Sequence, residues 1–533
     1  MRKIKTAVIF VCLFVCLCSV FARAEAQAET GRTPQTTGSV AGHYEGVINT
    51  RSRGSIPVSL DLRDADRNLT GALHTPFGDI NVTGGSYNAG RLLIKMEING
   101  DEASFAGQLA EGKLAGEFNG FGETGTVELK RTGDAPPAPN TRVNLALTKE
   151  AWREDLRFLA REIPQRHKNA FHFVTREQFE QAVKELDAQI PKLADDEIAL
   201  GLSRIAAMVG DGHTRVNWHW SYARAPLNFF WFGKELRVTG ATAPYARALG
   251  SRVVRIGAAS LDEAFRRALP YVHQGENEWY VKGESAAFIA YPALLHTIGL
   301  APDAGHAQYT LEDARGKRFT LNLRAQQAEE TQQAWLDVNQ KLPLYLLQRD
   351  APLWHTYLPE SQTVYFNFKG YPSRDAFRKF AAGLFTFIDS HPVRRLVVDL
   401  RQNGGGDYTR GRDYIIPEVK KRDAINRRGH LFVITGRWTF SAGMVNATDF
   451  RKETNAILVG EPTGARPNNY QENRDFILPN SRLNVWVSTR LEKFQEQDTP
   501  AVMPDKRIDP DWPSYRAGRD PVMEWILSSA PKD

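Results

Sequence analysis

Three apolar runs alternate with helical segments in the last third of the chain. The runs are RRLVVDL, HLFVIT and AILVG, and they are separated by a predicted helix over residues 412–420 and by another that begins at Ser441. Runs of Val, Ile and Leu without polar alternation are typical of strands buried on both faces, and their alternation with helices favours parallel strands joined by right-handed crossovers. The sequence therefore predicts an α/β region with a parallel sheet over residues 353–528. Ligands of such sheets bind at the carboxyl ends of the strands.

Residues 42–131 have a different pattern, in which apolar and polar residues alternate with period two. The alternation is clear in IPVSLDL and LLIKMEI, and an apolar-x-Gly-x-apolar motif recurs in LTGAL, FAGQL and LAGEF. Glycine at such places relieves crowding where short strands bend. The pattern predicts a small all-β domain, a barrel or a sandwich, with an accessory or binding role. Closely spaced prolines in TGDAPPAPNTR predict a linker over residues 132–144.

The period changes to that of helices over residues 145–225. Thr175 and the glutamine three residues after it form a capping box for one predicted helix, and Gly210 is expected to end the next. His213 follows in a loop just past that helix end, held by the helices but able to project. Residues 226–324 then mix short strands with a helix, a pattern that fits either a PDZ-like peptide-binding insert or an ordinary mixed insert.

The chain opens with basic residues, an apolar run from Ala7 to Phe21 and then alternating small residues. This is the layout of a cleaved secretory signal, over residues 1–24. The apolar run is short for a membrane anchor, which needs about 20 residues, so we expect a periplasmic or secreted protein with no stable membrane insertion after cleavage. All the cysteines lie in this segment, at Cys12, Cys16 and Cys18. The mature chain is therefore expected to have no disulfide, thiolate nucleophile or cysteine metal site.

Charge gives little reason to expect a polyanionic partner. The formal net charge is +6, and removing the four basic residues of the signal lowers it to +2, with both signs mixed along the rest of the chain. The densest basic stretch, VKKRDAINRRG, is interpreted as a solvated loop. No nucleic-acid partner is expected.

Two segments whose residues could carry out a reaction lie at the carboxyl ends of predicted strands. The first is DLRQNGGGD, whose consecutive glycines allow the backbone to bring bare N–H groups close to a ligand. It lacks the Gly-Lys-Ser/Thr ending of a phosphate loop, and Asp407 would repel phosphate. The second is TFSAG, in which Ser441 stands at the start of a helix, as an N-cap or as a nucleophile. A tetrahedral oxyanion on Ser441 would find N–H donors at Ala442, Gly404 and Gly405.

The segments DLRQNGGGD, TFSAG and VGEPTGARPNN occur in this order, and together they resemble the tail-specific or C-terminal-processing serine peptidases and their tricorn-like relatives. The resemblance extends from Leu145 to Leu527. It implies a ClpP/crotonase-like catalytic core with a helical segment ahead of it and often a PDZ-like insert. It also implies serine-type cleavage near the C termini of peptide or protein substrates, and we expect neither a metal nor an organic cofactor.

One departure from this family concerns the general base. Members of the Ser-Lys type carry a lysine about twenty-five residues after the serine, where this chain has Arg466. A guanidinium with a pKa above about 12 does not accept a proton near neutral pH. The tricorn-like branch uses a histidine instead, and GDGHT resembles the stretch that supplies it, which makes His213 the predicted base. His167, in QRHKN, is the rival, with a helix-end or core role expected for it.

The resemblance also implies an acid shortly before a V-x-P-D segment near the C terminus. In DTPAVMPD that place is taken by Asp498, with Glu496 as the alternative, and either would hold the imidazole or bind catalytic water. Family members of this branch carry glutamate there, so Asp498 is a departure. Arg466 and Asn468 are expected to shape the substrate groove by pairing with a peptide carboxylate.

The sequence thus predicts an exported serine peptidase that forms an acyl-enzyme on Ser441, with His213 as its base. A second hypothesis is a non-catalytic protein that binds an apolar ligand or a peptide, since the same core resembles the modules of interphotoreceptor retinoid-binding protein. A third is an esterase with the same groups. Retention of both Ser441 and His213 favours an enzyme over a pure binder.

Overall fold

The computed structural model describes residues 40–65, 68–76, 78–98, 100–136, 142–272, 276–327, 335–339 and 341–529. The predicted signal over residues 1–24, with its cysteines, lies outside the described residues, as does part of the predicted linker. No helix within these ranges is long and apolar enough to cross a membrane.

Eight antiparallel strands form a closed barrel at the N-terminal end of the described chain. They are β1 (Gly42–Thr50), β2 (Gly54–Ala65), β3 (Asn68–Thr75), β4 (Gly78–Asn88), β5 (Arg91–Ile98), β6 (Asp101–Ala110), β7 (Lys113–Gly120) and β8 (Glu123–Gly133). The barrel closes because β1 pairs with both β2 and β8. Gly107 pairs with Gly116 across β6 and β7, and a Cβ on Gly116 would lie 2.4 Å from the Gly107 Cα. The predicted all-β domain is confirmed, as a barrel.

Three helices follow the barrel: α1 (Lys149–Arg166), α2 (Arg176–Gln189) and α3 (Asp195–Ala207). The predicted capping box at Thr175 is present, with its hydroxyl accepting from the Gln178 N–H and the Gln178 side chain accepting from the Thr175 N–H. Helix α3 ends shortly before Gly210, which adopts a left-handed φ of 85°. The chain then turns into the loop that carries His213.

The next region is built mainly on a seven-stranded sheet. Its strands are β10 (Leu227–Phe232), β11 (Glu235–Thr242), β12 (Arg252–Ile256), β13 (Ala259–Ser260), β14 (His306–Glu312), β15 (Arg318–Arg324) and β16 (Trp335–Asp337), and its helices are α4 (Leu261–Ala268), α5 (Glu278–Phe288) and α6 (Pro292–Thr297). Short 3-10 turns lie at Trp218–Ser221, Ala243–Ala248, Leu269–Tyr271, Leu344–Leu346 and Pro359–Ser361. This region shares one hydrophobic core with α1, α2 and α3. A PDZ-like identity for residues 226–324 stays a prediction.

The last region is a six-stranded sheet in the order β17-β18-β19-β20-β21-β24. Its strands are β17 (Leu353–Leu358), β18 (Thr363–Phe368), β19 (Arg395–Asp399), β20 (Leu431–Thr435), β21 (Ile457–Gly460) and β24 (Lys506–Arg507). Around it lie α7 (Arg374–Ser390), α8 (Thr409–Tyr414), α9 (Ile416–Lys420), α10 (Ala442–Glu453), α11 (Trp512–Arg516) and α12 (Pro521–Ser528). From β18 onward the strands pair in parallel, which confirms the predicted parallel sheet. The ClpP/crotonase-like identity of this region stays a prediction.

The helix predicted over residues 412–420 is two short helices, α8 and α9. Pro417 stands in the first turn of α9, where its missing N–H is tolerated, but its ring would clash with the carbonyl four residues earlier in one continuous helix. The chain therefore breaks between the two helices.

A three-stranded sheet brings the His213 loop to the parallel sheet. Strands β22 (Asn468–Ile477) and β23 (Asn484–Lys493) form a hairpin, and the short strand β9 (Arg215–Val216) pairs with β23. Because β9 begins two residues after His213, this pairing fixes where the loop lies relative to β22 and the segment before it.

Candidate active site

Ser441 lies in a strained turn between β20 and α10. Its φ is 48° and its ψ is −123°, a backbone conformation that costs a residue with a side chain about 1–3 kcal/mol. Ser441 makes no capping hydrogen bond to α10, every residue of which the structure describes. N-cap residues normally have extended φ and ψ and bond the helix N–H groups. Ser441 thus occupies the N-cap position of α10, where its carbonyl accepts from the Val445 N–H at 3.1 Å, but its side chain does not cap the helix. The strained turn therefore needs another explanation.

The glycine loop after β19 passes directly beside Ser441. Gly405 has a φ of 118°, and a Cβ on it would lie 2.7 Å from the Ser441 Cβ and 3.4 Å from the Ala442 nitrogen. Its N–H donates to the Asn403 side-chain oxygen at 3.1 Å, so this predicted oxyanion donor is already engaged. Ala442 is the first residue of α10, where helical geometry offers its N–H no acceptor. Ala442 is therefore a better-placed donor than Gly405, together with Gly404, which lines the cavity of Ser441.

Asn403, which sequence reasoning passed over, ties the glycine loop to the Ser441 turn. It is fully buried. Its side-chain amide donates to the Phe368 carbonyl at 2.9 Å, and its carbonyl accepts from the Phe440 N–H at 2.9 Å. The residue stands inside the DLRQNGGGD segment, but a sequence does not reveal that its partners lie on β18 and beside Ser441.

His213 and Ser441 line one cavity of about 1220 Å³, together with the glycine loop. The His213 side chain is buried, and its ring stacks on Phe440, the neighbour of Ser441, with ring centroids 4.8 Å apart. Tyr280 stacks on the same phenylalanine at 4.6 Å. Phe440 therefore couples the position of the imidazole to the turn that carries Ser441.

Asp211 organises the loop of His213. One carboxylate oxygen accepts from the N–H groups of His213 and Thr214, at 2.9 and 2.8 Å, and from the Ser488 hydroxyl at 2.7 Å. The other oxygen meets the His167 Nε2 at 3.0 Å. Burial by itself would raise the pKa of Asp211, but the bonds from His167 and Ser488 and the nearby His213 lower it to about 2. Asp211 thus stays ionised near neutral pH.

His167, the rival base, ends α1 as its C-cap and faces Asp211. Its Nδ1 accepts from the Asn169 N–H at 2.9 Å, so Nε2 carries the proton that Asp211 accepts. This matches the helix-end role that the sequence analysis expected for it.

Glu276 is a second buried carboxyl that contacts the His213 loop, and no motif in the sequence points to it. It accepts from the Gly212 N–H at 3.3 Å and from the Arg466 N–H at 3.1 Å. Burial raises the pKa of Glu276 to about 7, with the Asp211 charge adding to the rise and the two N–H groups opposing it. The carboxyl joins the loop of His213 to the segment of Arg466.

Glu276 is expected to make folding less favourable as pH rises. Its pKa is raised from 4.5 to about 7, so its stabilising contribution is complete below pH 4.5 and is lost through pH 7, by about 3 kcal/mol in total. Glu276→Gln should remove this part of the pH dependence. Urea unfolding of both proteins between pH 4.5 and 8 measures it, with the exposed Glu360→Gln as control. Equal pH profiles for the wild type and Glu276→Gln would contradict the assignment.

The remaining predicted site residues gather in a second cavity of about 1000 Å³. Arg466, Asn468, Glu496 and Asp498 all line it. Arg466 pairs with Asp498 at 2.8 Å, and the Asn468 side-chain oxygen accepts from the Gln495 N–H at 3.2 Å. Residues 210 and 211 line this cavity, whereas residues 212 and 213 line the cavity of Ser441. The structure therefore brings Asp498 to Arg466, whereas Asp211 and Glu276 are carboxyl groups that bond the His213 loop.

Metal-ligating side chains do not cluster among the residues that the structure describes. No group of three or more His, Cys, Asp or Glu side chains within the described ranges could hold a metal ion.

Comparison with known proteins gives structural similarities at low sequence identity. Neither a family model nor a curated protein matches the chain. The match to the structure of mature CPAF covers 71% of this chain and 96% of the CPAF chain, with 10% sequence identity and a TM-score of 0.48. The photosystem II D1 C-terminal processing protease covers 67% and 93%, with 17% identity and a TM-score of 0.35. Tricorn protease covers 90% of this chain and 46% of its own, with 13% identity and a TM-score of 0.36. At these scores the similarities do not assign functional residues, which depend on the geometry described above.

Proposed function

We propose that this chain is a serine peptidase of the tail-specific type, in which Ser441 is the nucleophile and His213 the general base. One observation carries the proposal: Ser441 is held in a strained, left-handed turn at the start of α10, in one cavity with His213 and the glycine loop. Strained residues of this kind cluster at active sites, where the surrounding fold maintains them for function.

The reaction follows from the placement of these groups. The Ser441 Oγ attacks the carbonyl carbon of a peptide bond while His213 takes its proton. The oxyanion that forms accepts from the Ala442 N–H, at the positive end of α10, and from the glycine loop. The imidazolium then donates its proton to the leaving amine, and the C–N bond breaks to give an acyl-enzyme. Water, losing a proton to His213, hydrolyses the ester and returns Ser441 to its hydroxyl form.

Two carboxyl groups support His213 in this scheme without touching the substrate. Asp211 fixes the backbone on both sides of the histidine through its bonds to the N–H groups of His213 and Thr214. Glu276 fixes the preceding glycine. The base lysine of the Ser-Lys type has no counterpart at its usual place, because Arg466 stands there and pairs with Asp498. We assign positioning of the His213 loop to Asp211 rather than to Asp498 or Glu496.

Substrate class and location are part of the same proposal. The cavity lined by Arg466 and Asn468 lies next to the Ser441 cavity and offers a guanidinium to a peptide carboxylate. A peptide or protein is therefore the proposed substrate. The signal-like segment over residues 1–24 supports a periplasmic or secreted enzyme.

A biotinylated fluorophosphonate is expected to label the wild-type protein at Ser441, because the reagent reacts with serines activated by a base. Mass spectrometry of the labelled peptide identifies the site. Ser441→Ala should not be labelled, whereas a control at the exposed Ser390→Ala should be labelled like the wild type. Label on Ser441→Ala would contradict the assignment.

The same proteins distinguish peptidase from esterase activity. Hydrolysis of fluorescein-labelled casein by the wild type and not by Ser441→Ala is the expected result. Turnover of p-nitrophenyl acetate without any of casein would favour the esterase hypothesis.

A further inference from the structure

The barrel forms part of the wall of the Ser441 cavity. Thr75, Asp79 and Ile98, at the ends of barrel strands, line the same cavity as Ser441 and His213. Arg474 of the β22–β23 hairpin also lines this cavity, and its side chain donates to the Pro76 carbonyl of the barrel. The barrel therefore lies against the site and is not an appendage held by the linker alone.

Asp101, the first residue of β6, makes the central contact between the barrel and the parallel-sheet region. One carboxylate oxygen accepts from the Arg374 N–H at the start of α7 at 2.5 Å, and the other pairs with the Arg410 Nη2 at 2.5 Å. The Arg410 side chain is only 1% exposed, and that of Asp101 is 17% exposed. Both oxygens of this barrel carboxylate are thus used to hold groups of the other region.

Arg410 depends on the barrel for its closest countercharge. Its Nε lies 3.4 Å from Asp407, and its Nη1 donates to the Tyr371 carbonyl at 3.2 Å. The Asp407 Oδ1 is engaged by the Thr409 hydroxyl and N–H, at 2.6 and 3.0 Å. Its Oδ2, which faces Arg410, also lies 3.4 Å from the Arg374 Nη2. A buried charge without a close partner is strongly destabilising, so loss of Asp101 would force Arg410 to move or to draw Asp407 toward it.

The groups that Arg410 holds are those that shape the glycine loop. Gly406 packs on Tyr371, because a Cβ on it would lie 2.5 Å from the ring. Asp407 follows Gly406 directly. The Tyr371 hydroxyl donates to the Asn446 side chain in α10 at 2.7 Å, on the helix that begins after Ser441. A shift of Arg410 therefore reaches both the glycine loop and the helix of the nucleophile.

We propose that Asp101 of the barrel is a positioning residue of the peptidase site, which holds residues 404–407 against Ser441 through its ion pair with Arg410. The proposal rests on the proposed peptidase function. It makes the barrel a component of the catalytic unit, in addition to a wall of the substrate cavity.

Asp101→Asn tests this role with minimal change of shape. An amide that keeps its oxygen on the Arg374 N–H loses the charge that faces Arg410 and places its own N–H donors against the Arg410 Nη2. We expect kcat for a fluorogenic casein-derived peptide to fall about 100-fold, the cost of misplacing reacting groups by about 1 Å, with KM little changed. The rate of fluorophosphonate labelling should fall in parallel. Asp134→Asn, the same charge change on the barrel at a side chain that is 95% exposed, is the control and should match the wild type.

Arg410→Lys is the second variant, because it retains the charge and removes the guanidinium fork that reaches Asp101, Tyr371 and Asp407 together. It should also lower kcat more than it changes KM. Circular dichroism at the assay temperature shows whether each variant is folded.

The outcomes separate this proposal from the proposed function. A wild type no faster than Ser441→Ala overturns the peptidase assignment and this proposal with it. An active wild type with an equally active, folded Asp101→Asn overturns this proposal alone. If Asp101→Asn and Arg410→Lys are both unfolded at the assay temperature, the ion pair acts only on folding, and the positioning role is refuted.

Discussion

Replacing Ser441 or His213 by alanine is expected to lower kcat for a peptide substrate by on the order of 10⁶-fold in each case. The double variant should lose no more than the larger single loss. The reason is that proton transfer to His213 and attack by Ser441 belong to one step, so that removing either group already abolishes the contribution of both. Steady-state kinetics on a fluorogenic peptide, with all three variants and the wild type, measures the effect.

Non-additivity is the informative part of this experiment. Losses that multiply in the double variant would mean that the two residues act in separate steps, and would contradict their pairing. His391→Ala, at an exposed histidine on the end of α7, is the control for loss of an imidazole elsewhere and should retain wild-type kinetics. Residual activity in the double variant would report what substrate binding and the N–H donors provide without the nucleophile.

Patterns of short range made much of the fold predictable. Period-two alternation predicted an all-β domain without deciding between a barrel and a sandwich, and the apolar runs predicted the parallel sheet, because both patterns reflect which face of an element is buried. The capping box at Thr175 was predictable for a similar reason, since its two hydrogen-bonding partners lie three residues apart. The sequence pattern did not predict the break between α8 and α9. Pro417 lies inside the predicted helix, but the spacing of apolar residues on both sides of it fits one continuous helix.

The sequence predicted which residues could carry out the chemistry of the site, but not which residues hold them in place. The sequence allowed Ser441 to be either a capping side chain or a nucleophile, and its strained backbone together with the absent side-chain cap bond argues against capping. Glu276 and Asn403 were missed because their hydrogen-bonding partners are distant in sequence or lie on the backbone, which carries no residue signature. The same holds for Asp101 and Arg410, which look like solvated charges in the sequence and form a buried pair in the fold.

Asp211→Ala is expected to lower the free energy of unfolding by about 4 kcal/mol or more, because it leaves four buried donors without an acceptor, each at a cost of about 1 kcal/mol or more. Those donors are the N–H groups of His213 and Thr214, the Ser488 hydroxyl and the His167 Nε2. Urea unfolding near pH 7 measures the loss, and Asp423→Asn, at an exposed carboxylate, should have little effect. A loss below about 1 kcal/mol would contradict the role of Asp211 in holding this loop.

The pH dependence of the loss in unfolding free energy distinguishes the effect of the Asp211 charge from the effect of the side-chain shape. Because the pKa of Asp211 is lowered from 3.8 to about 2 in the folded state, its ionisation stabilises the fold above pH 4, and that contribution is lost as pH falls toward 2. The loss amounts to about 2 kcal/mol. The difference in unfolding free energy between the wild type and Asp211→Asn should therefore narrow by this amount between pH 5 and pH 2. In Asp211→Asn the amide N–H would face the His167 Nε2–H, since His167 Nδ1 is occupied by the Asn169 N–H, and this clash of donors persists at every pH. A difference that stays constant through the acid range would show that the clash, and not the lost charge, accounts for the whole effect.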